Sequence, residues 1–486
     1  MRQEARRAAG PAVTLALLAV VATSYVLQQT LVVPALPTIQ RDLDTSTTWA
    51  AWIFTGFLLT SAVATPLLGK LGDSHGKKRI LMISLAGFGA GTVLAALAPS
   101  IEVLILARAA QGVGGAIFPL AFGIIRDQLP PGRVGLGLGL LSATFGVGGG
   151  AGLVLSGLIL EGLSWPWLFW IGAAPVAVAF VLVWLLLPES PVRARTRLDW
   201  RGALLLSGGL VALLLALSEG RGWGWASAPT LGAAVAAAVL LSAWVAVELR
   251  VPEPMVDIGM MRDRSVFWTN LVALLTGFAM FGTFLMVPML AQLPRGLPES
   301  VAGQMDYGFG ASVVVAGLVS LPASLMMLVV GPIAGIAESR VGARALTLAG
   351  LLVISLGGFS LTVAHGGIGQ AMLGMALVGV GVGLTYSMLA KLIVDAVRPE
   401  VTGVAMGMNT VMRTIGGSVG GQLGAALLVA YTLPGAAGVP AERGFTTAFA
   451  ISSAAALIAA AGVLRIPRRR GAAALTPAPA AAGEAA

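Results

Sequence analysis

Two arginines, Arg108 and Arg413, stand inside long apolar stretches of the sequence, where a charged side chain is costly and needs hydrogen-bond acceptors. The polar side chains that Arg108 can reach are the carboxamides of Gln28 and Gln29, in the first stretch, and of Gln111, in its own stretch. A guanidinium stays charged and donates up to five hydrogen bonds, while a carboxamide donates and accepts without titrating. Such a set can bind a neutral or anionic organic molecule, but it cannot carry a proton.

Carboxylates and histidines are absent from the middle of these apolar stretches. All 21 Asp and Glu fall in loops or at the ends of apolar runs, both histidines fall at loops, and the chain has no cysteine. A membrane-embedded enzyme would need a cluster of nucleophilic, acidic or metal-binding side chains, so we predict no catalytic residue, no metal and no cofactor.

We expect Arg108 to face the interior of a helical bundle. Arg413, close to Asn409, is the second interior candidate. The alternative for Arg108 is a side chain that snorkels to the lipid headgroups. The alternative for Gln28 and Gln29 is plain hydrogen bonding between helices.

The composition places these residues in a membrane. Of 486 residues, 57% are hydrophobic and 10% are charged, against about 25% charged in a soluble domain. Runs long enough to cross a bilayer, about 20 residues each, occur fourteen times. The predicted spans are 12–33, 49–68, 80–98, 101–125, 134–160, 168–187, 202–218, 229–247, 266–291, 309–334, 345–364, 368–390, 401–432 and 445–464. The first run is too long for the core of a cleaved signal peptide, so we interpret it as a transmembrane helix.

The basic residues divide unevenly between the two sides of these spans. Segments on the side of the N-terminus hold 24 of the 30 Lys and Arg, and segments on the other side hold four. Because cytoplasmic loops collect Lys and Arg, we predict a multi-pass plasma (inner) membrane protein with both termini cytoplasmic. The net charge of +9 is then explained by basic residues that lie along one face of the membrane. No nucleic-acid partner is expected.

The two halves of the chain repeat each other. GKLGDSHGKKRIL at 69–81 corresponds to GIAESRVGARAL at 335–346, with an offset of 266 residues. Repeated bundles around a central site are typical of secondary transporters. We predict an all-α integral membrane protein of two six-helix bundles plus two extra central helices. The predicted division is a cytoplasmic N-terminus at 1–11, a bundle at 12–187, a linker at 188–201, two extra helices at 202–247, a linker at 248–265, a second bundle at 266–464 and a disordered tail at 465–486.

Four motifs resemble the major facilitator superfamily. They are GKLGDSHGKKR at 69–79, similar to its loop 2–3 signature; LARAAQGVG at 106–114, similar to a fourth-helix motif of its drug antiporters; WPWLF at 165–169; and LDWRG at 198–202. With fourteen spans, the chain resembles the 14-span drug:proton antiporters over about 12–464. The resemblance implies export of a small-molecule drug, antibiotic or related metabolite by alternating access and coupling to protons. We expect a monomer in the lipid bilayer.

The loop signature carries a predicted latch. Asp73 can accept from backbone N–H groups at a neighbouring helix N-terminus and pair with loop cations, and the resemblance implies that such contacts hold one conformation. The predicted latch residues are Gly69, Asp73, Gly76, Lys77, Lys78, Arg79, Arg340 and Arg344. In the second loop Ser339 replaces the acid and Glu338 comes one residue earlier, so we expect a weaker latch there. The alternative is a solvated charged turn.

Helix five is rich in glycine. Gly148, Gly152 and Gly157 are predicted to let helices approach closely. The family motif at this place ends in G-P-x-x-G-G, and here GLVLSG at 152–157 stands in its place without the proline. Specificity is expected to rest on scattered large side chains, namely Trp52, Phe54, Phe118, Phe145, Phe281 and Met286.

Gln28 stands where the family usually carries a carboxylate on helix one. Because glutamine cannot titrate, we predict atypical proton coupling that is weak, uses an outer-end acid such as Glu102, Glu161 or Glu219, or is absent. The predicted function is export of an uncharged or acidic organic compound. The alternatives left open are import or facilitated transport of a metabolite or siderophore, a channel, and a non-transporting membrane receptor.

Overall fold

The computed structural model describes residues 10–192, 199–252, 254, 256, 258–293, 307–433 and 439–467. Within these residues the chain is built from fourteen long α-helices and a few short helical turns. The long helices are α1 (Pro11–Leu31), α2 (Thr47–His75), α3 (Lys77–Ala96), α4 (Ile101–Gln128), α5 (Pro131–Gly162), α6 (Pro166–Leu186), α7 (Trp200–Trp223), α8 (Ala228–Glu248), α9 (Arg264–Gln292), α10 (Val313–Val341), α11 (Ala343–Val363), α12 (Ile368–Ala396), α13 (Thr402–Ala430) and α14 (Glu442–Val463). Most of the predicted segments 1–11 and 465–486 lies outside the described residues.

Two of these helices are interrupted. α4 passes through a 3-10 turn at Gly112–Ala116, and α9 breaks at Leu285 between Arg264–Phe284 and Met286–Gln292. The short helices Leu36–Asp42 and Ile258–Arg262 lie outside the long ones.

Thirteen of the long helices in the described part of the chain are long and apolar enough to cross a membrane. The remaining helix, α13, is less apolar because it combines many glycines with Asn409 and Arg413. Its 29 residues nevertheless exceed the length that is needed to cross a membrane. The predicted all-α architecture with fourteen helices is confirmed.

Glycines mark equivalent turns in the two halves. Gly76 separates α2 from α3 with φ of +107°, and Gly342 separates α10 from α11 with φ of +87°. These positive φ angles favour glycine, and the two positions differ by the 266 residues of the sequence repeat. Each glycine lets the chain end one helix and begin the next within a single residue.

Glycine also brings the two bundles into backbone contact along α5 and α10. A Cβ added to Gly135 would come 2.8 Å from the carbonyl oxygen of Gly335, and one added to Gly331 would come 2.8 Å from the carbonyl oxygen of Gly139. On the other side of the interface, a Cβ on Gly69 of α2 would come 2.7 Å from the carbonyl oxygen of Gly403 on α13. Small residues at these points let helices from different bundles touch.

The three glycines predicted to pack helix five do so against two different helices. A Cβ on Gly148 would come 2.6 Å from the Cβ of Val26 on α1, and one on Gly152 would overlap Thr30 Oγ1. A Cβ on Gly157 would come 2.7 Å from Val314 of α10. α5 is therefore fixed between α1 of its own bundle and α10 of the other.

The extra helices α7 and α8 flank the two bundles. Leu214 of α7 packs with Leu59 and Ala62 of α2 and with Ile415 of α13. Only 17% of the most apolar stretch of α8 is buried. This hairpin therefore covers one edge of the contact between α2 and α13, and leaves the two bundles free to meet directly.

Candidate functional site

Arg108 lies in the interior of the first bundle and is fully buried. Its Nε donates to the carbonyl oxygen of Ile53 at 3.3 Å, and its Nη1 donates to Gln111 Oε1 at 2.5 Å and to the carbonyl oxygen of Gln28 at 3.5 Å. Its Cζ lies 4.5 Å from the centroid of the Phe57 ring, a cation–π distance. Its Nη2 has no hydrogen-bond partner among the described residues.

The three predicted amides differ in what they do. Gln111 bonds Arg108 through its side chain and also donates from Nε2 to Thr92 Oγ1 at 2.8 Å. Gln28 contributes its backbone carbonyl, while its side chain donates to the carbonyl oxygen of Phe169 at 3.4 Å and leaves Oε1 without a partner in the described part of the chain. Gln29 is half-buried, and no hydrogen bond in the described residues joins it to this network.

Arg413 is a second buried guanidinium, with 7% of its surface exposed. Its Cζ lies 4.4 Å from the ring centroid of Tyr386 on α12 and 4.7 Å from that of Phe145 on α5. One ring therefore comes from each bundle. Asn409 points to a different partner, since its Nδ2 donates to Asn270 Oδ1 at 2.9 Å.

A row of aromatic rings runs between the two arginines. Its ring centroids are separated by 5.7 Å for Phe57 and Tyr25, 6.1 Å for Tyr25 and Phe118, 4.0 Å for Phe118 and Phe145, and 5.7 Å for Phe145 and Tyr386. We call these five residues the aromatic seam. The aromatic seam crosses from the first bundle to the second. It therefore connects the two bundles through the rings that contact the two buried arginines.

Acidic side chains stay away from this region. Within the described residues, no ion pair joins a carboxylate to either buried arginine. Glu102 and Glu161 are exposed at helix ends, and Glu219 is buried near the end of α7. No group of three or more His, Asp or Glu that could hold a metal occurs among the described residues.

Asp73 joins the two bundles at the loop end that carries residues 69–79, which we call the basic end. Its Oδ1 accepts from the amide of Gly403 and its Oδ2 from the amide of Val404, both at 3.0 Å. Both amides belong to the first turn of α13, whose N–H groups have no partner within the helix. Lys77 is fully buried beside it, 3.5 Å from Asp73 Oδ1 and 2.7 Å from Asp127 Oδ2.

Further contacts at the basic end involve residues that the sequence analysis did not select. Arg126 of α4 donates from Nη1 to Thr402 Oγ1 at 2.6 Å and from Nη2 to the carbonyl oxygen of Val397 at 2.7 Å, and thus crosses between bundles. Ser190 donates to Asp127 Oδ2. The adjacent Arg126 and Asp127 could have indicated such contacts. In a charged loop, however, the same pair of residues is also expected where both side chains are simply exposed to solvent.

Lys78 and Arg79 act mainly through their backbone. Their amides donate to the carboxylate of Glu189 at 2.9 and 3.2 Å, so Glu189 caps the start of α3. A Cβ on Gly76 would come 2.8 Å from the same carboxylate. The Nζ of Lys78 donates to the carbonyl oxygen of Trp184 at 3.0 Å.

The second loop is built differently. Arg344 donates to the carbonyl oxygens of Val463 at 3.2 Å and Leu464 at 2.6 Å, at the end of α14 in its own bundle. Arg340 is exposed. Glu338 lies 3.5 Å from Lys391, also within the second bundle. A Cβ on Gly135, near the start of α5, would come 3.2 Å from Glu338 Oε2. In the described part of the chain, however, only the first loop has a carboxylate that accepts hydrogen bonds from a helix N-terminus of the other bundle.

The sequence pattern of the Major Facilitator Superfamily matches residues 18–421, with a second, overlapping match over 309–483. The chain belongs to this superfamily.

Relatives within the major facilitator superfamily extend over most of the chain. It is 30% identical over 82% of its length to the "Tetracenomycin C resistance and export protein" of Streptomyces glaucescens, covering 72% of that protein. It is 33% identical over 78% of its length to the "Puromycin resistance protein pur8" of Streptomyces alboniger, covering 74% of that protein. The fold is similar to that of the human organic anion transporter MFSD10 (TETRAN), with a TM-score of 0.65 at 15% identity, covering 93% of this chain and 99% of the other.

In this major facilitator protein the buried arginines and the buried ion pairs at the basic end belong to two separate systems. The aromatic seam with its two arginines lies inside the bundles, where it can contact an organic molecule through rings and a fixed positive charge. The carboxylate and lysine system at the basic end ties helices together and includes no group of the seam.

Proposed function

We propose that this protein exports small organic compounds, namely drugs, antibiotics or related metabolites, across the plasma membrane by alternating access. The observation that carries the proposal is its similarity, over about four fifths of the chain, to a protein named for resistance to and export of tetracenomycin C. The similarity to a puromycin resistance protein supports the same class of substrate.

The two bundles provide the moving parts. Rocking about the glycine contacts of α5 and α10 would open the interface on one side of the membrane and close it on the other. Opening at the basic end requires Asp73 to release the amides of Gly403 and Val404, and Arg126 to release Thr402. These contacts are therefore the latch of this protein.

The charge distribution supports a cytoplasmic position for both termini and for the basic end. The loops on that side hold most of the Lys and Arg, which cytoplasmic loops collect. With this orientation the latch closes the inner side, and a bound compound leaves toward the outside.

The substrate is proposed to be uncharged or acidic. The pathway contains fixed guanidinium charges and amides, and such a pocket repels organic cations. Coupling to protons is then atypical, because Gln28 cannot titrate and the nearest acids that could substitute for it, Glu102, Glu161 and Glu219, each lie at an outer helix end.

Antibiotic accumulation tests the main proposal. Cells that express the protein should accumulate less of at least one compound from a broad antibiotic panel than cells that lack it, with cells that express Arg108→Ala at an equal membrane level as the control. Equal accumulation across the panel would favour the receptor alternative, and higher accumulation with the wild type would indicate import.

Proton release from everted vesicles tests the coupling. Addition of an exported compound should release few protons or none, and any release should fall in Glu102→Gln, Glu161→Gln or Glu219→Gln. Strong release that survives all three substitutions would contradict atypical coupling through an outer-end acid.

A further inference from the structure

In the part of the chain that the structure describes, Arg413 differs from the other buried cations in having no anionic or carbonyl partner. Lys77 lies against two carboxylates, and Arg108 donates to two carbonyls and an amide. Among the described residues, Arg413 faces the rings of Phe145 and Tyr386, and no hydrogen bond to its guanidinium is found. A buried charge that lacks a counter-ion is costly, so this guanidinium has its donors available for a ligand.

Gly149 leaves room for a side chain one turn from the Phe145 ring that covers Arg413. Phe145 and Gly149 are one turn apart and share a face of α5, while Gly148 packs on α1 and Gly146 on α10. A Cβ on Gly149 would meet nothing within 4 Å, and Phe145 is half-buried. The face of α5 between the two packed faces therefore carries Phe145 and, one turn on, has room for an added side chain at Gly149.

We propose that Arg413 is the anchor for an acid group on the exported compound, and that the preferred substrates are aromatic acids. This inference rests on the proposed function. A guanidinium can hold a carboxylate through two parallel hydrogen bonds, and the rings beside it offer faces and edges for an aromatic body. Arg108 is less suited because its Nε and Nη1 already donate to the protein, and only Nη2 lacks a partner among the described residues.

The position of the anchor links binding to alternating access. Arg413 and Tyr386 belong to the second bundle, whereas Phe145 belongs to the first. Separation of the bundles would keep the contact between Arg413 and Tyr386 and withdraw Phe145. The guanidinium is then uncovered in one arrangement of the bundles and covered by a ring in the other.

Binding of 2-naphthoate and its uncharged analogue 2-naphthamide to the purified full-length protein at neutral pH tests the anchor. The wild type should bind naphthoate about tenfold or more tightly than naphthamide. Arg413→Gln should lose that preference with unchanged naphthamide affinity, and Arg413→Lys should keep part of it. The matched control is Arg443→Gln, an exposed arginine whose Cζ lies 5.5 Å from the ring centroid of Tyr431.

Gly149→Leu provides a second test at the same site. A leucine there adds bulk one turn from Phe145 without a clash of its Cβ. If the aromatic body of the ligand lies along this face of α5, as proposed, the protein should fold and bind both ligands more weakly. Unchanged naphthoate affinity in Gly149→Leu would overturn the proposed location, even if Arg413→Gln failed to fold.

Two results would overturn the anchor itself. They are a wild type that does not prefer naphthoate, and an Arg413→Gln variant that weakens both ligands equally. A wild type that lowers antibiotic accumulation but gives either result would refute only the anchor. A wild type that fails both assays would refute the export proposal as well.

Discussion

The amide of Gly403 donates to Asp73 Oδ1 at 3.0 Å, although the two residues lie 330 positions apart and in different bundles. The next amide, that of Val404, donates to the other oxygen of the same carboxylate. Free N–H groups and the helix dipole favour an anion at a helix N-terminus. A single side chain thus ties the end of α2 to the start of α13, and this contact must break whenever the basic end opens.

Asp73→Asn should loosen the basic end. The amide oxygen of asparagine can accept a hydrogen bond from one of the two helix N–H groups, but its NH₂ group is itself a donor and cannot accept from the other. Lys77 also loses one of its two carboxylate partners. We expect a several-fold lower efflux rate. Because the chain has no cysteine, spin labels introduced by His75→Cys and Glu400→Cys should report a larger fraction of long distances.

Glu338→Gln is the matched control for this variant. It removes a carboxylate from the equivalent loop of the second half. Glu338 contacts Lys391 of its own bundle at 3.5 Å and, among the described residues, accepts no hydrogen bond from the other bundle. The label distances should remain those of the wild type. Equal widening in both variants would mean that general charge loss, and not the contact with α13, controls the basic end.

Lys77→Met should destabilise the protein strongly. Lys77 is fully buried between Asp73 and Asp127, so its removal leaves two buried carboxylates without their cation. Removing one partner of a buried ion pair lowers the free energy of unfolding by about 3–5 kcal/mol. Thermal unfolding of the purified protein should show a clearly lower midpoint, with partial recovery in Lys77→Met combined with Asp127→Asn. The exposed neighbour Arg79 provides the control, and Arg79→Gln should unfold at the wild-type temperature.

Gly152→Ala should weaken the packing of α5 on α1. The added Cβ would overlap Thr30 Oγ1, which also donates to the carbonyl oxygen of Gly148 at 2.9 Å. Overpacking of this kind costs about 1–3 kcal/mol. Gly162→Ala is the control on the same helix because its Cβ would meet nothing within 4 Å. Equal unfolding midpoints for the two variants would show that α1 adapts to the extra methyl group.

The sequence was sufficient for the helices and for the burial of Arg108 and Arg413, but not for the partners that these two arginines contact. Arg108 was predictable as an interior residue because a charge in an apolar run has few alternatives. The aromatic seam was not, since Tyr25 and Phe118 are 93 positions apart and rings in apolar helices usually serve only packing. Their contact depends on how α1 and α4 rotate about their axes, which no local pattern specifies.

Arg108→Lys should impair transport although it keeps the positive charge. Lysine cannot donate at the Nε position to Ile53 and cannot lay a planar group over Phe57 while it reaches Gln111. We expect about a tenfold or larger fall in efflux rate at equal membrane expression, since a hydrogen bond to a charged group is worth about 1.5–3 kcal/mol. Thr92→Val removes only the acceptor of Gln111 Nε2, so its loss should be smaller. Wild-type efflux in Arg108→Lys would show that charge alone suffices, and that the directed bonds around this guanidinium do not set the transport rate.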